Sequence, residues 1–177
     1  QAASVRSMIA SLRYDTAGTI AWAEKSLLYL PQDDLARGVV GQILGGAYWQ
    51  QGKVGAAEQV LAEAARLSLQ AGNLYAGLMA LHQRAQLRVI QGKLSEAEEL
   101  YQRGLQIASQ KGAAESPVAG QLYCGIGEVV LERNSLQQAF ELVGRGLELG
   151  QRTQDLNVLL NGGRPLQSGL REIPEPH

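Results

Sequence analysis

The 177-residue chain has one cysteine, one phenylalanine and five prolines, and aromatic residues make up only 5% of it. A single cysteine, Cys124, excludes an internal disulfide framework and fits a reducing compartment. The shortage of aromatics, beside abundant Gly and Ala, disfavours a β-sandwich and suits closely packed helices. Net charge is lacking too: 16 Lys and Arg against 17 Asp and Glu leave a formal −1. With a pI near 6.2 there is no basic footprint, which argues against nucleic-acid binding by this segment. No apolar run approaches the roughly 20 residues that span a bilayer. No basic n-region followed by a continuous apolar h-region opens the chain, so neither a membrane span nor a signal peptide is expected. The chain starts at Gln1 inside a helical pattern and reads as a piece of a longer, cytoplasmic protein.

What the chain does have is a repeat. Gln51-Gly52-Lys53-Val54-Gly55-Ala56-Ala57-Glu58 aligns with Gln91-Gly92-Lys93-Leu94-Ser95-Glu96-Ala97-Glu98, and with Arg133-Asn134-Ser135-Leu136-Gln137-Gln138-Ala139-Phe140. Gly52, Gly92 and Asn134 follow one another at a nearly constant step, and a fainter copy turns at Tyr14-Asp15-Thr16. In each copy a helix ends at a residue that tolerates the left-handed conformation, and a second helix starts two or three residues later. Ser95 with Glu98, and Ser135 with Gln138, have capping-box spacing. Within the second helices a small residue recurs at one register, at Ser26, Ala64, Gly104 and Gly146. Leu61, Tyr101 and Val143 precede it by three, and Leu27, Leu105 and Leu147 follow it by one. Small side chains at a fixed register let helices approach closely while the larger ones fill the space beside them.

The pattern predicts helix pairs at 2–13 with 16–29, 34–51 with 54–71, 74–91 with 94–111, and 117–133 with 136–152. Pro31 stops the first pair, with Asp33 or Asp34 as the next cap, and Ser116 caps a helix that carries Pro117 at its first position. A further helix is expected to begin over 155–160, closing a repeat domain of residues 1–160. Residues 161–177 lack any apolar period and read as a linker or poorly ordered tail.

These positions resemble the tetratricopeptide (TPR) motif. Leu44-Gly45, Tyr48, Gly52, Ala57, Leu61 and Ala64 stand at its signature places, as do Ile126-Gly127, Asn134, Ala139, Val143 and Gly146. The third pair departs at Arg84-Ala85 and Arg88. The step also exceeds the usual TPR repeat of about 34 residues. Longer pairs of this kind are similar to the sensor region of MalT-like regulators, the large ATP-dependent LuxR-type transcription activators. Ala21-Trp22-Ala23-Glu24-Lys25-Ser26-Leu27 and the run from Gly127 to Leu136 look like that group's phrases. The resemblance implies an all-α, TPR-like α-solenoid of about four antiparallel pairs in a right-handed superhelix. It also implies a non-catalytic module that binds a partner protein, peptide or small-molecule inducer, in a regulator with an ATPase domain before it and a helix-turn-helix after it. The alternative is a free-standing TPR adaptor that holds a peptide in its concave groove, and self-association stays open in either case.

Motifs for chemistry are missing. The Gly-Lys pairs at 52–53 and 92–93 lack the flanking residues of a phosphate-binding loop, and Gly144-Arg145-Gly146 reads as mid-helix packing. Two histidines and one cysteine without ligand spacing supply no metal set, so neither metal nor cofactor is expected. Cys124 reads as a small buried hydrophobe, and His82 alone is a weak acid–base candidate. Glu96, Glu98 and Glu99 suit the positive end of a helix dipole and read as a solvated helix start. Gly41, Gly45 and Gly46 imply either close packing or the close approach of a ligand. Carried over from the TPR motif, the inward-pointing positions are Gln42, Gly46 and Trp49, then His82, Gln86 and Val89, then Cys124, Glu128 and Leu131. Of these, Gln42, Gly46, Trp49, His82, Gln86 and Glu128 are the candidate binding residues. Trp49 is either an exposed anchor or packed on a neighbouring repeat. Arg84 and Arg88, at i and i+4, either hold an anion or pair with nearby Glu residues.

Overall fold

The computed structural model of the chain describes residues 2–32, 34–153 and 158. Those residues form eight α-helices and no strand: α1 (Ala2–Leu12), α2 (Thr16–Tyr29), α3 (Ala36–Gln50), α4 (Val54–Gln70), α5 (Leu74–Ile90), α6 (Leu94–Gln110), α7 (Pro117–Glu132) and α8 (Leu136–Thr153). Each helix starts and ends within a residue or two of its expected bounds. Apart from Val158, which is helical and buried, the expected 155–160 helix and the tail from 161 lie outside the described residues. The chain divides into two compact units, residues 1–87 and 88–177, with the boundary inside α5.

One turn geometry repeats along the chain. Tyr14, Gly52, Gly72, Gly92, Gly112 and Asn134 all have φ between +57° and +75°. In each case the next residue donates its backbone N–H to the carbonyl five residues before it: Asp15 to Ala10, Lys53 to Tyr48, Asn73 to Ser68, Lys93 to Arg88, Ala113 to Ala108, Ser135 to Val130. This Schellman arrangement satisfies the last carbonyls of one helix and reverses the chain for the next. The sequence pattern marks four of these turns. Gly72 and Gly112, between pairs, are two more, so the turns from Gly52 to Gly112 fall at even half-steps of the repeat. The exception is the exit of α2. There Pro31 prevents continuation, and the Arg37 guanidinium donates to the Leu27 and Leu30 carbonyls at 2.9 and 2.7 Å.

Helix starts differ more from expectation. Asp15 accepts from the Gly18 N–H, Asn73 from Ala76 and Ser116 from Ala119, so three helices have side-chain caps. Ser95 is no cap: α6 begins at Leu94 behind Lys93, which makes no side-chain cap bond, and Ser95 lies too far inside. Asp34 accepts from the Ala36 N–H at 2.8 Å, but the residue at the cap position of α3 is Leu35, so α3 starts two residues later than expected.

In the first unit α1 packs on α2 and α3, α2 on α3, and α3 on α4. Ile20 and Ala23 of α2 bury against Val40, Leu44 and Ala47 of α3, with Leu27, Leu30, Tyr48 and Val60 around them. The small-residue register works as expected. A Cβ on Gly41 would stand 3.1 Å from the Ala64 Cβ, and one on Gly45 would collide with Leu61. Ser26, at the same register in α2, is buried and hydrogen-bonds Ser4 of α1 at 2.7 Å. In the second unit, α6 packs on α7 and α7 on α8. A Cβ on Gly120 would lie 2.9 Å from the Gly146 carbonyl oxygen, and one on Gly146 would lie 2.6 Å from that of Gly120. These two backbones therefore meet directly. Gly104 takes Leu122, Gly125 takes the Tyr101 ring, and Gly127 takes Val143.

Glycine thus has opposite meanings along one chain. A Cβ at Gly125 would overlap Tyr101, which is fully buried, whereas one at Gly144 would meet nothing within 4 Å. Gly125→Ala is expected to destabilise by roughly 1–3 kcal/mol through overpacking. Gly144→Ala is expected to stabilise by roughly 0.5–1 kcal/mol by removing the conformational freedom of a mid-helix glycine. Urea unfolding midpoints of the two variants check both signs.

Candidate functional site

A cavity of about 170 Å³ lies within the first unit, between the α1–α2 turn and the facing sides of α3 and α5. Ser11, Tyr14, Thr16 and Thr19 come from the turn region, Gln42, Ile43, Gly46, Ala47 and Gln50 from α3, and Gln83 from α5. The left-handed turn at Tyr14 places its hydroxyl-bearing neighbours at the rim, and the one-turn spacing of α3 carries Gln42, Gly46 and Gln50 along the floor. A Cβ on Gly46 would sit 3.4 Å from Gln83 Nε2, so the missing side chain is part of the cavity's volume.

The lining is polar and carries no charged side chain. Gln42 Nε2 donates to Gln83 Oε1 at 3.1 Å, and Thr16 Oγ1 donates to Gln50 Oε1 at 2.8 Å. These bonds fix the amides while leaving capacity over, since each carboxamide has two N–H donors and an acceptor with two lone pairs. The site can therefore both donate to and accept from a neutral polar ligand. At about 170 Å³ it is smaller than the roughly 300–1,000 Å³ that encloses a drug-sized molecule. It suits one side chain or one short stretch of something longer.

The charged groups that could have faced a ligand are used elsewhere. Arg84 pairs with Glu58 at 2.8 Å and Arg88 with Glu96 at 3.0 Å, which decides between anion binding and pairing at those two positions. Glu96 also meets Lys93, and Glu98 takes Arg133 at 2.5 Å. Two of the three α6 glutamates are thus ion-paired rather than simply solvated. Among the described residues no group of His, Cys, Asp and Glu has metal-site geometry.

Of the six sequence candidates, Gln42 and Gly46 line the cavity together. Trp49, Gln86 and His82 belong to the same unit and are half-buried, but they are not among the lining residues. The His82 Nδ1 is shut off from solvent, and burial lowers the imidazole's pKa from 6.5 to about 4. Glu128 lies in the second unit, half-buried on α7, where burial and then the Glu132 carboxylate push its pKa above the usual 4.5. Cys124 is a buried free thiol against Val143, Val158 and Leu147, its pKa raised to about 11 by burial. Residues not foreseen are Gln83, Gln50, Thr16, Thr19, Tyr14, Ser11, Ile43 and Ala47. Gln83 is one position away from His82, and the recurrence of glutamine along α3 and α5 is the signal that points to it.

Paired helices, left-handed turns at a nearly regular step and a small-residue seam define the TPR-like class of helical repeat. Residues 1–162 match the model of the MalT-like TPR region, and the chain belongs to that family. Among solved structures it is similar to the BtubC (BKLC) protein from P. vanneervenii, with a TM-score of 0.69 and 14% identity over 99% of this chain and 82% of that one. It is also similar to a kinesin light chain type protein of Podosopora anserina with nearly identical TPR-like repeats, with a TM-score of 0.66 and 16% identity over 96% and 84%. At those identities the likeness is one of fold. No curated protein matches the chain in sequence.

His82 and Glu128 give opposite pH dependences. Unfolded, His82 takes a proton near 6.5; folded, it does so only near 4. Between those values the unfolded chain binds more protons, so stability falls as pH drops through that window. Glu128 behaves in reverse: the stability its protonated form contributes is present below 4.5 and is lost as pH rises through its elevated folded pKa. His82→Gln is expected to flatten the loss between 6.5 and 4, and Glu128→Gln to raise stability at pH 7. Unfolding midpoints measured from pH 4 to 8 test both; parallel profiles for His82→Gln and wild type would rule out an enclosed, neutral imidazole.

Proposed function

We propose that the chain is the partner-recognition module of a MalT-type bacterial transcription activator, non-catalytic in itself, and that the cavity in its first unit takes a neutral, hydrogen-bonding segment of a protein or peptide. The observation that carries this reading is the cavity's lining of three carboxamides and four hydroxyls with no charge. A partner that matches these groups replaces their hydration, whereas one that leaves them buried and unmet is rejected by the desolvation cost of each group. The cavity's small volume favours a segment of a larger partner over an enclosed inducer. Family membership supports the regulatory setting, with the ATPase and DNA-binding domains encoded on either side. No described helix is long and apolar enough to cross a membrane, which is compatible with cytoplasmic work.

Selection of short peptides displayed on phage tests the site. The expected outcome is a set of neutral, amide- and hydroxyl-rich peptides that bind the wild-type chain. Their affinity should fall about tenfold or more on Gln42→Ala and further on Gly46→Leu, which fills the floor without opposing helix formation. Peptides that are strongly charged, or that bind Gly46→Leu as well as wild type, would sink this reading of the cavity. A complete gene lacking both flanking domains would favour the free-standing adaptor instead.

A further inference from the structure

Of the six left-handed turns among the described residues, four turn on glycine and one on Asn134, which meet positive φ at little cost. The remaining one turns on Tyr14, at φ +57°. A bulky side chain is strained there, and such strain persists at sites where something other than folding requires it. The fold gives Tyr14 little in return, because the residue is 88% exposed and buries almost nothing. Yet its backbone is fixed. The Tyr14 N–H donates to the Ser11 carbonyl at 3.0 Å, and the Thr16 N–H donates to the Tyr14 carbonyl at 3.1 Å. An aromatic residue is thus held on a rigid turn, in the lining of the cavity, at a cost to folding.

The hydrogen bonding of that lining is unbalanced. Gln42 commits one of its two N–H groups to Gln83, while those of Gln50 and Gln83 are uncommitted among the described residues. The amide oxygens of Gln83 and Gln50 already accept, from Gln42 and from Thr16. What the glutamines require of an occupant is therefore mainly acceptors, such as backbone carbonyls. Gln42 and Gln50 stand a little over two turns apart on α3, about 12 Å. An extended chain covers that distance with about four residues. Thr16, two residues after Tyr14, holds Gln50, so Tyr14 marks the Gln50 end of the row.

Granted that the cavity takes a peptide segment, we infer that Tyr14 sets its specificity: the Tyr14 ring packs on a proline, and the glutamines donate to the carbonyls of the same extended stretch. Proline answers both demands. It presents a carbonyl and no N–H, which matches a lining with donors to spare. Its ring is uncharged and its backbone already restricted to the extended conformation, so it settles on an aromatic ring at little ordering cost. A lysine or arginine also packs on a tyrosine ring, but the lining has no carboxylate to receive the charge, and the neighbouring Asp15 caps α2.

Peptides displayed on phage, selected in parallel on the wild-type chain and on Tyr14→Asn, test this. Wild type is expected to enrich neutral peptides with a proline at a fixed distance from their amide and hydroxyl residues. Tyr14→Asn is expected to enrich neutral peptides without that proline. A peptide selected on wild type, synthesised and followed by fluorescence anisotropy, should bind Tyr14→Asn about tenfold more weakly and Tyr14→Phe within about twofold. Alanine in place of its proline should cost about tenfold on wild type and little on Tyr14→Asn, because the two changes remove one contact. Asparagine suits this turn, as Asn134 does, so the urea midpoint of Tyr14→Asn should equal or exceed that of wild type. A lower midpoint would make Tyr14 a packing residue and overturn the inference. So would neutral peptides that show no proline preference on wild type, or that keep it on Tyr14→Asn. Selection of no neutral peptide removes the peptide reading of the cavity, and the role of Tyr14 with it.

Discussion

The rest of the structure depends on how closely the helix backbones approach one another. Gly120 and Gly146 bring α7 and α8 into backbone contact, and Gly41 lies against Ala64 between α3 and α4. At this separation a single methyl group is felt, because protein interiors have no spare volume to absorb it. The larger side chains then have defined places: Leu61 above Gly45, Tyr101 above Gly125, Val143 above Gly127. The scarcity of aromatics follows from the same constraint. A seam made of glycine, alanine and serine has room for few large residues, and Tyr101 takes such a place in α6.

In the first pair the seam is built differently, beside the cavity. Serine replaces glycine or alanine at the register, and the Ser4–Ser26 bond takes the place of apolar contact. A hydroxyl pair in a half-buried seam satisfies itself and stabilises by roughly 1 kcal/mol. Val5, Met8, Ile9 and Leu12 of α1 are all exposed. The same pair turns on Tyr14 in place of glycine, and that turn forms one wall of the cavity. The first, fainter pair thus supplies Ser11, Tyr14, Thr16 and Thr19 to the cavity.

The turns and the seam are legible in the sequence because each rests on a local rule: a residue that tolerates positive φ, or a small residue at a fixed helical register. Helix starts are less so. Ser95 has the right spacing from Glu98 but stands inside α6, because Lys93 already holds the cap position and a spacing rule cannot see which residue leaves the helical region. Of the ten residues that line the cavity, two are legible in the sequence. Gln42 and Gly46 follow from register alone. Gln83 does not, and the register selects His82 one position away, because a motif derived from shorter pairs does not fix the rotation of α5 in a longer step. Trp49 has the most distinctive chemistry in that register, yet it lies outside the cavity lining.

Charge pairing explains why the cavity is neutral. Arg84 ties α5 to Glu58 of α4, Arg133 ties the end of α7 to Glu98 of α6, and Arg145 and Arg152 of α8 both reach Glu115 ahead of α7. Arg84 and Glu58 are largely buried, but the other pairs are solvent-accessible and worth only about 0–1 kcal/mol each, so their main consequence is where they leave no charge. None of them lies on the cavity lining. Recognition there has to come from amide and hydroxyl geometry. Such groups give little net affinity when satisfied, about 0.5–1.5 kcal/mol each, but cost more when a wrong partner buries them unmet. A cavity of this kind discriminates better than it binds. Under the proposed function, tight engagement of a partner then requires further contact outside the cavity.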